Sequence, residues 1–117
     1  MKTTLRFAAA LVGVSLVAGC STITEGEFNT MHTVLEGSPA TKREAIKDCI
    51  ARERSISQAD KNTYAAIMNV SAARYETAFC NRLMNALASG RITYADYVKL
   101  SSPGADSSKL IKVMQGR

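Results

Sequence analysis

Histidine occurs once in these 117 residues, tryptophan not at all, and aromatic side chains make up only 6% of the chain. With His32 alone, no Ser-His-Asp or Cys-His arrangement can be assembled on rigid elements. Nor is there a second imidazole or a carboxylate cluster at ligand spacing to complete a metal site. The glycines form no phosphate-cradling loop and the cysteines no Cys-x-x-Cys pair. No cofactor is therefore expected, and an enzyme is the class the residues support least. Basic and aromatic residues do not interleave, so the net charge of +5 does not signal nucleic-acid binding. Strand-like alternation is also missing, which leaves helical spacing as the organising pattern.

What is present begins at the N-terminus. Lys2 and Arg6 give a positive start, and Phe7 to Val17 is an uncharged apolar stretch of eleven residues. A membrane-spanning helix needs roughly 20 apolar residues, so this stretch has the length of an export signal and not of a permanent span. Leu16-Val17-Ala18-Gly19-Cys20 follows, ending in small residues and a thiol. The arrangement resembles the lipobox signal of bacterial lipoproteins, with Val17 where that pattern most often has Leu. The resemblance implies that residues 1–19 are removed and that Cys20 is acylated on its sulfur and on its new amino group. Acyl chains in that number make release from a membrane negligible, at about 0.8 kcal/mol per buried methylene. Ser21, in place of the Asp that favours inner-membrane retention, implies an outer-membrane address facing the periplasm where the organism has two membranes. With one membrane, the address is the cell membrane.

Without residues 1–19 the chain keeps ninety-eight residues, one small domain's worth, and its formal charge falls to +3. Residues 20–38 are rich in Thr, carry two Gly and hold no sustained period. They are expected to form a lipidated tether spanning roughly 20 to 25 Å as a flexible coil, with His32 exposed in it. The near-helical spacing of Phe28, Met31, Val34 and Leu35 allows a short turn there that docks on the domain.

Residues 39–117 are expected to form an all-α domain, a small bundle of about four short helices. Gly37-Ser38-Pro39 and the Thr-x-x-Glu of Thr41 and Glu44 mark the first start, near Ala40. That helix carries Ala45, Ile46, Cys49 and Ile50 on one stripe up to about Arg54. Ser57 or Asp60 caps a second helix through Tyr64, Ile67 and Met68. Asn69-Val70-Ser71 is expected to interrupt it before a third helix over Ala72 to Ala88, the alternative being one helix over 60–88. Tyr75, Phe79, Leu83 and Leu87 form its apolar stripe, and Gly90 is placed as its left-handed terminator. Thr93-x-x-Asp96 opens a short helix through Tyr94, Tyr97, Val98 and Leu100, and Leu110 to Met114 suggests a last turn or two.

With Cys20 acylated, Cys49 and Cys80 remain, and an even count outside the cytoplasm invites a disulfide between the first and third helices. Two buried free thiols are the alternative. Glu76 and Asp96 are carboxylates with helix-surface and capping roles. Arg82, Arg91 and Tyr94 gather near the turn Ser89 to Thr93 and form a candidate partner surface, since Arg and Tyr are over-represented at interface hot spots. The stretch from Phe79-Cys80-Asn81-Arg82 through Gly90-Arg91-Ile92-Thr93-Tyr94 to Tyr97 resembles short uncharacterised envelope lipoproteins of alphaproteobacteria, a likeness that brings no activity with it. The sequence therefore points to a non-enzymatic, lipid-anchored envelope protein, a structural or adapter component held to the membrane through Cys20 and working with another envelope protein. A ligand-binding module for a lipid, glycan fragment or peptide is the rival.

Overall fold

A computed structural model describes residues 22–117; the expected signal peptide and Cys20 lie outside that range. Among the described residues the structure is all-helical, with no strand. Its elements are α1 (Glu25–Gly37), α2 (Pro39–Glu53), α3 (Gln58–Met68), a 3₁₀ turn (Ala72–Arg74), α4 (Tyr75–Ala88), α5 (Tyr94–Leu100) and α6 (Ser108–Met114). Six helices replace the expected four.

The largest departure is α1, which occupies most of the expected tether. Thr24 closes a capping box at its start: Thr24 N–H donates to Glu27 Oε2 at 2.7 Å, and Glu27 N–H donates to Thr24 Oγ1 at 3.2 Å. Phe28 and Leu35, seven residues apart and so on one helical face, are both buried. The threonines that argued against a helix turn their hydroxyls onto the preceding turn, Thr30 to Gly26 O and Thr33 to Asn29 O, each at 2.9 Å. Ser38 alone separates α1 from α2. Its N–H donates to Val34 O at 3.0 Å to end one helix, and its hydroxyl accepts from Thr41 N–H at 3.2 Å to start the next. Pro39 holds the first helical position, where its missing N–H costs nothing. The expected box at Thr41 and Glu44 does not form; the start lies one turn back, with a single side-chain cap from Ser38.

The break after α3 forms where expected. Asn69 ends α3 in the left-handed region, φ 58°, and Val70 N–H reaches back to Ala65 O at 3.0 Å. Asn is among the few residues with a side chain that adopt this conformation readily. Gly90, φ +75°, ends α4. The expected Thr93 box opens α5, with Thr93 N–H donating to Asp96 Oδ2 at 2.9 Å and Asp96 N–H to Thr93 Oγ1 at 3.3 Å.

Helix α4 lies at the centre, packed against α1, α2, α3 and α6. Tyr75, Cys80, Ala86, Leu87 and Ala88 are buried on it, with Phe79 and Leu83 partly so. Helix α2 differs, because none of its residues is buried. The stripe Ala45, Ile46, Cys49 and Ile50 is only half-covered, and its firmest link to the core is covalent. Cys49 and Cys80 lie at disulfide distance, S–S 2.10 Å and Cα–Cα 5.8 Å. At a sequence separation of 31, the loop-entropy formula credits such a bond with roughly 4 kcal/mol. We expect the Cys49→Ala/Cys80→Ala variant to lose about that much in urea unfolding; a change under about 1 kcal/mol contradicts this account of α2.

Candidate functional site

An apolar groove runs along α3, α4 and α6. Tyr64, Ile67 and Met68 of α3 form one wall, Leu110, Ile111 and Met114 of α6 the other, and Tyr75 and Phe79 of α4 the floor, with Glu53 and Ile56 closing one end. Its volume is about 510 Å³, within the range of small-molecule sites. The walls are themselves exposed, Tyr64 and Ile67 to 45% and Ile111 to 40%. It is therefore an open trough and not an enclosed cavity.

The groove has one ionisable carboxylate, and that group is already engaged. Tyr75 O–H donates to Glu53 Oε2 at 2.7 Å, tying the end of α2 to the start of α4. Burial, reinforced by this carboxylate, pushes the Tyr75 hydroxyl well above the usual tyrosine range. With that carboxylate engaged by Tyr75, the groove offers an occupant chiefly apolar surface.

Arg82, expected at a partner surface, is half-buried and ties two walls of the groove together. Its Nη1 donates to Met68 O, at 3.4 Å, and to Met114 O, the C-terminal carbonyls of α3 and α6. A cation at two helix C-termini is favoured by both macrodipoles. Gln115 adds a second tie, Nε2 to Ile67 O at 2.8 Å. Arg91 donates to the backbone carbonyl of Arg117 but stays exposed. Tyr94 packs edge-on against Phe28, centroids 5.8 Å apart, and beside Tyr97. The three residues lie in one region of the chain, yet each has an intramolecular partner.

His32 is half-buried on α1, where an exposed tether residue was expected. Its Nδ1–H donates to Leu87 O at 2.8 Å, and Nε2 faces Glu36 at 3.4 Å, so it caps the end of α4. Glu76 pairs with Lys61 at 2.9 Å, both side chains mostly covered, and that hydrogen bond holds its carboxyl below the usual range. Asp96 pairs with Lys109 at 2.6 Å. The two carboxylates are thus occupied separately. Among the described residues no group of three His, Cys, Asp or Glu is arranged to hold a metal, and no helix is long and apolar enough to cross a membrane. No sequence signal pointed to the groove, because its lining comes from four segments that meet only in the folded chain.

Comparison with protein-family models, curated proteins and solved structures finds no match.

Two measurements check this geometry. Arg82→Ala should lose roughly 2 kcal/mol, the size of a hydrogen bond to a charged group, with Arg82→Lys recovering part of it; an unchanged unfolding midpoint contradicts the capping role. The Lys109 ammonium, then the Thr93 backbone N–H, draw the Asp96 carboxyl down from 3.8 to about 2. A depressed carboxyl stabilises the fold above its unfolded value, and that contribution disappears as pH falls through the folded one. Stability should therefore drop between pH values of about 4 and 2, and less steeply in Asp96→Asn.

Proposed function

We propose that this chain is a non-enzymatic, lipid-anchored envelope protein, held by acyl chains on Cys20 at the periplasmic face of the outer membrane. Its helical domain acts as an adapter that receives an apolar helix of another envelope protein in the groove between α3 and α6. The order of basic start, short apolar stretch and Leu16-Val17-Ala18-Gly19-Cys20 supports the anchor and the address. The groove carries the adapter reading: it is apolar, it is open along its length, and its lining carboxylate is bonded to Tyr75. An amphipathic helix laid in a groove between helices buries apolar anchors at i, i+3 or i+4 without asking for polar partners.

A small ligand is the second reading, and the volume of about 510 Å³ favours it. Of the classes considered for it, a lipid chain or apolar peptide fits the lining, whereas a glycan fragment needs more polar contacts than the Tyr64 hydroxyl and Glu53 supply. The open walls favour the protein partner, since small-molecule sites bury most of their ligand.

The test is in-cell photo-crosslinking from positions 67 and 111, with Ile67→Glu assayed in parallel and Val34→Glu as a control on another exposed apolar residue. The adapter reading predicts one stoichiometric protein adduct. It also predicts that Ile67→Glu weakens capture by about thirtyfold, equivalent to the ~2 kcal/mol of an interface hot spot, while Val34→Glu does not. Crosslinks carrying only a lipid mass transfer the groove to the second reading.

A further inference from the structure

Helix α4 has a polar face that the apolar groove does not use, and two open troughs adjoin along it. One is lined by Arg74, Thr77, Asn81 and Arg82, with a volume of about 410 Å³. The other is lined by Arg82, Asn85, Ser89 and Arg91, with about 320 Å³. Arg82 borders both, so they form one track along the helix. Thr77, Asn81 and Asn85 follow at four-residue steps on one helical face. From Thr77 to Ser89 the track runs ~18 Å at the helical rise of about 1.5 Å per residue.

The track is positive, and many of its polar groups are open to a ligand. No carboxylate lines it. Glu76, the acidic residue of α4, lies on the far side of the helix from Asn81 and Asn85 and pairs with Lys61. Among the described residues no ion pair uses an arginine; each is made by Lys or His. Arg82 engages Nη1 with Met68 O and Met114 O, Arg91 engages Nη2 with Arg117 O, and Asn81 engages Nδ2 with Thr77 O. Arg82 Nε and Nη2, the Asn81 side-chain carbonyl, and the side chains of Arg74, Thr77 and Asn85 have no hydrogen-bond partner among the described residues.

Three guanidiniums without carboxylates favour an oxyanion, which each can meet through two parallel N–H bonds. The amides and hydroxyls between them select the rest of the ligand, because they match the hydroxyls and amides of sugars. Aromatic side chains are missing from the lining, which removes the stacking platform of a single-stranded nucleic acid. The apolar lining is Ala73, Ala78, Ala86 and Val113, too little to anchor a partner helix or enter a bilayer. We infer that this track binds an anionic glycan strand, with carboxylates or phosphates on Arg74, Arg82 and Arg91 and sugar hydroxyls on Thr77, Asn81 and Asn85. It is a second site, independent of the lipid anchor and of the apolar groove.

Calorimetric titration of the full chain tests it with four probes: a galacturonate oligomer, its neutral methyl ester, phosphorylated dextran, and polyglutamate, which has carboxylates but no sugar. Arg82 is left unchanged because it holds α3 and α6 together. We expect saturable binding of one or both anionic glycans, weakened by salt, with none of the ester and with polyglutamate at least about tenfold weaker. Asn85→Asp, which sets a negative charge midway along the track, and Arg74→Gln should each weaken glycan binding by about tenfold. Lys99→Gln, on α5 beside Asp96 and Asp106, should leave it unchanged. Both track positions are exposed, and unchanged helicity with a retained disulfide shows that each variant is folded. Failure of both anionic glycans to bind at low salt overturns the inference. So does polyglutamate binding as tightly as the glycans, or an equal loss in Lys99→Gln, since either makes the contact general charge attraction.

Discussion

Helix α4 is the shared wall of the molecule, and Cys80, wholly buried at its centre, is where the wall is fastened. The bond to Cys49 lets α2 contribute without burying a residue of its own, since a covalent link supplies what its half-covered stripe does not. A domain of this size buries too little apolar surface to waste such a fastening. Around the same helix further ties are polar: His32 caps the end of α4, Arg82 caps the ends of α3 and α6, Tyr75 bonds the Glu53 side chain at the end of α2, and Glu76 pairs with Lys61 of α3. Short helices leave many unpaired carbonyls relative to their length. Side chains from neighbouring helices close several of them.

That economy explains the groove. Gln115 and Arg82 hold α3 and α6 in place through their backbone carbonyls, so the apolar side chains between them need not close over one another. Tyr64, Ile67 and Ile111 stay exposed along the groove, with the Tyr64 ring tilted against Tyr75 at 5.9 Å.

Signals carried by neighbouring residues were legible in the sequence. The break at Asn69, the terminator Gly90, the Thr93-Asp96 box and the pairing of Cys49 with Cys80 all follow from local chemistry or simple counting. The misses have a common cause. Threonines outweighed the apolar pair Phe28 and Leu35 in the reading of residues 20–38, because their hydroxyls have backbone partners only once the helix exists. Arg82 and His32 read as surface groups, because their acceptors lie 14, 32 and 55 residues away. Local pattern identifies a helix or a cap, but not the distant carbonyl that a long polar side chain will reach.

The central claim is that the folded domain starts at Thr24, almost at the expected lipid anchor, and amide hydrogen exchange on the intact, oxidised chain tests it most directly. The account predicts that the α1 amides from Phe28 to Leu35 are protected to a degree comparable with those of α4, since the two helices share one core. Exchange of those amides at the rate of an unstructured peptide, while α4 stays protected, would restore the tether and contradict the account.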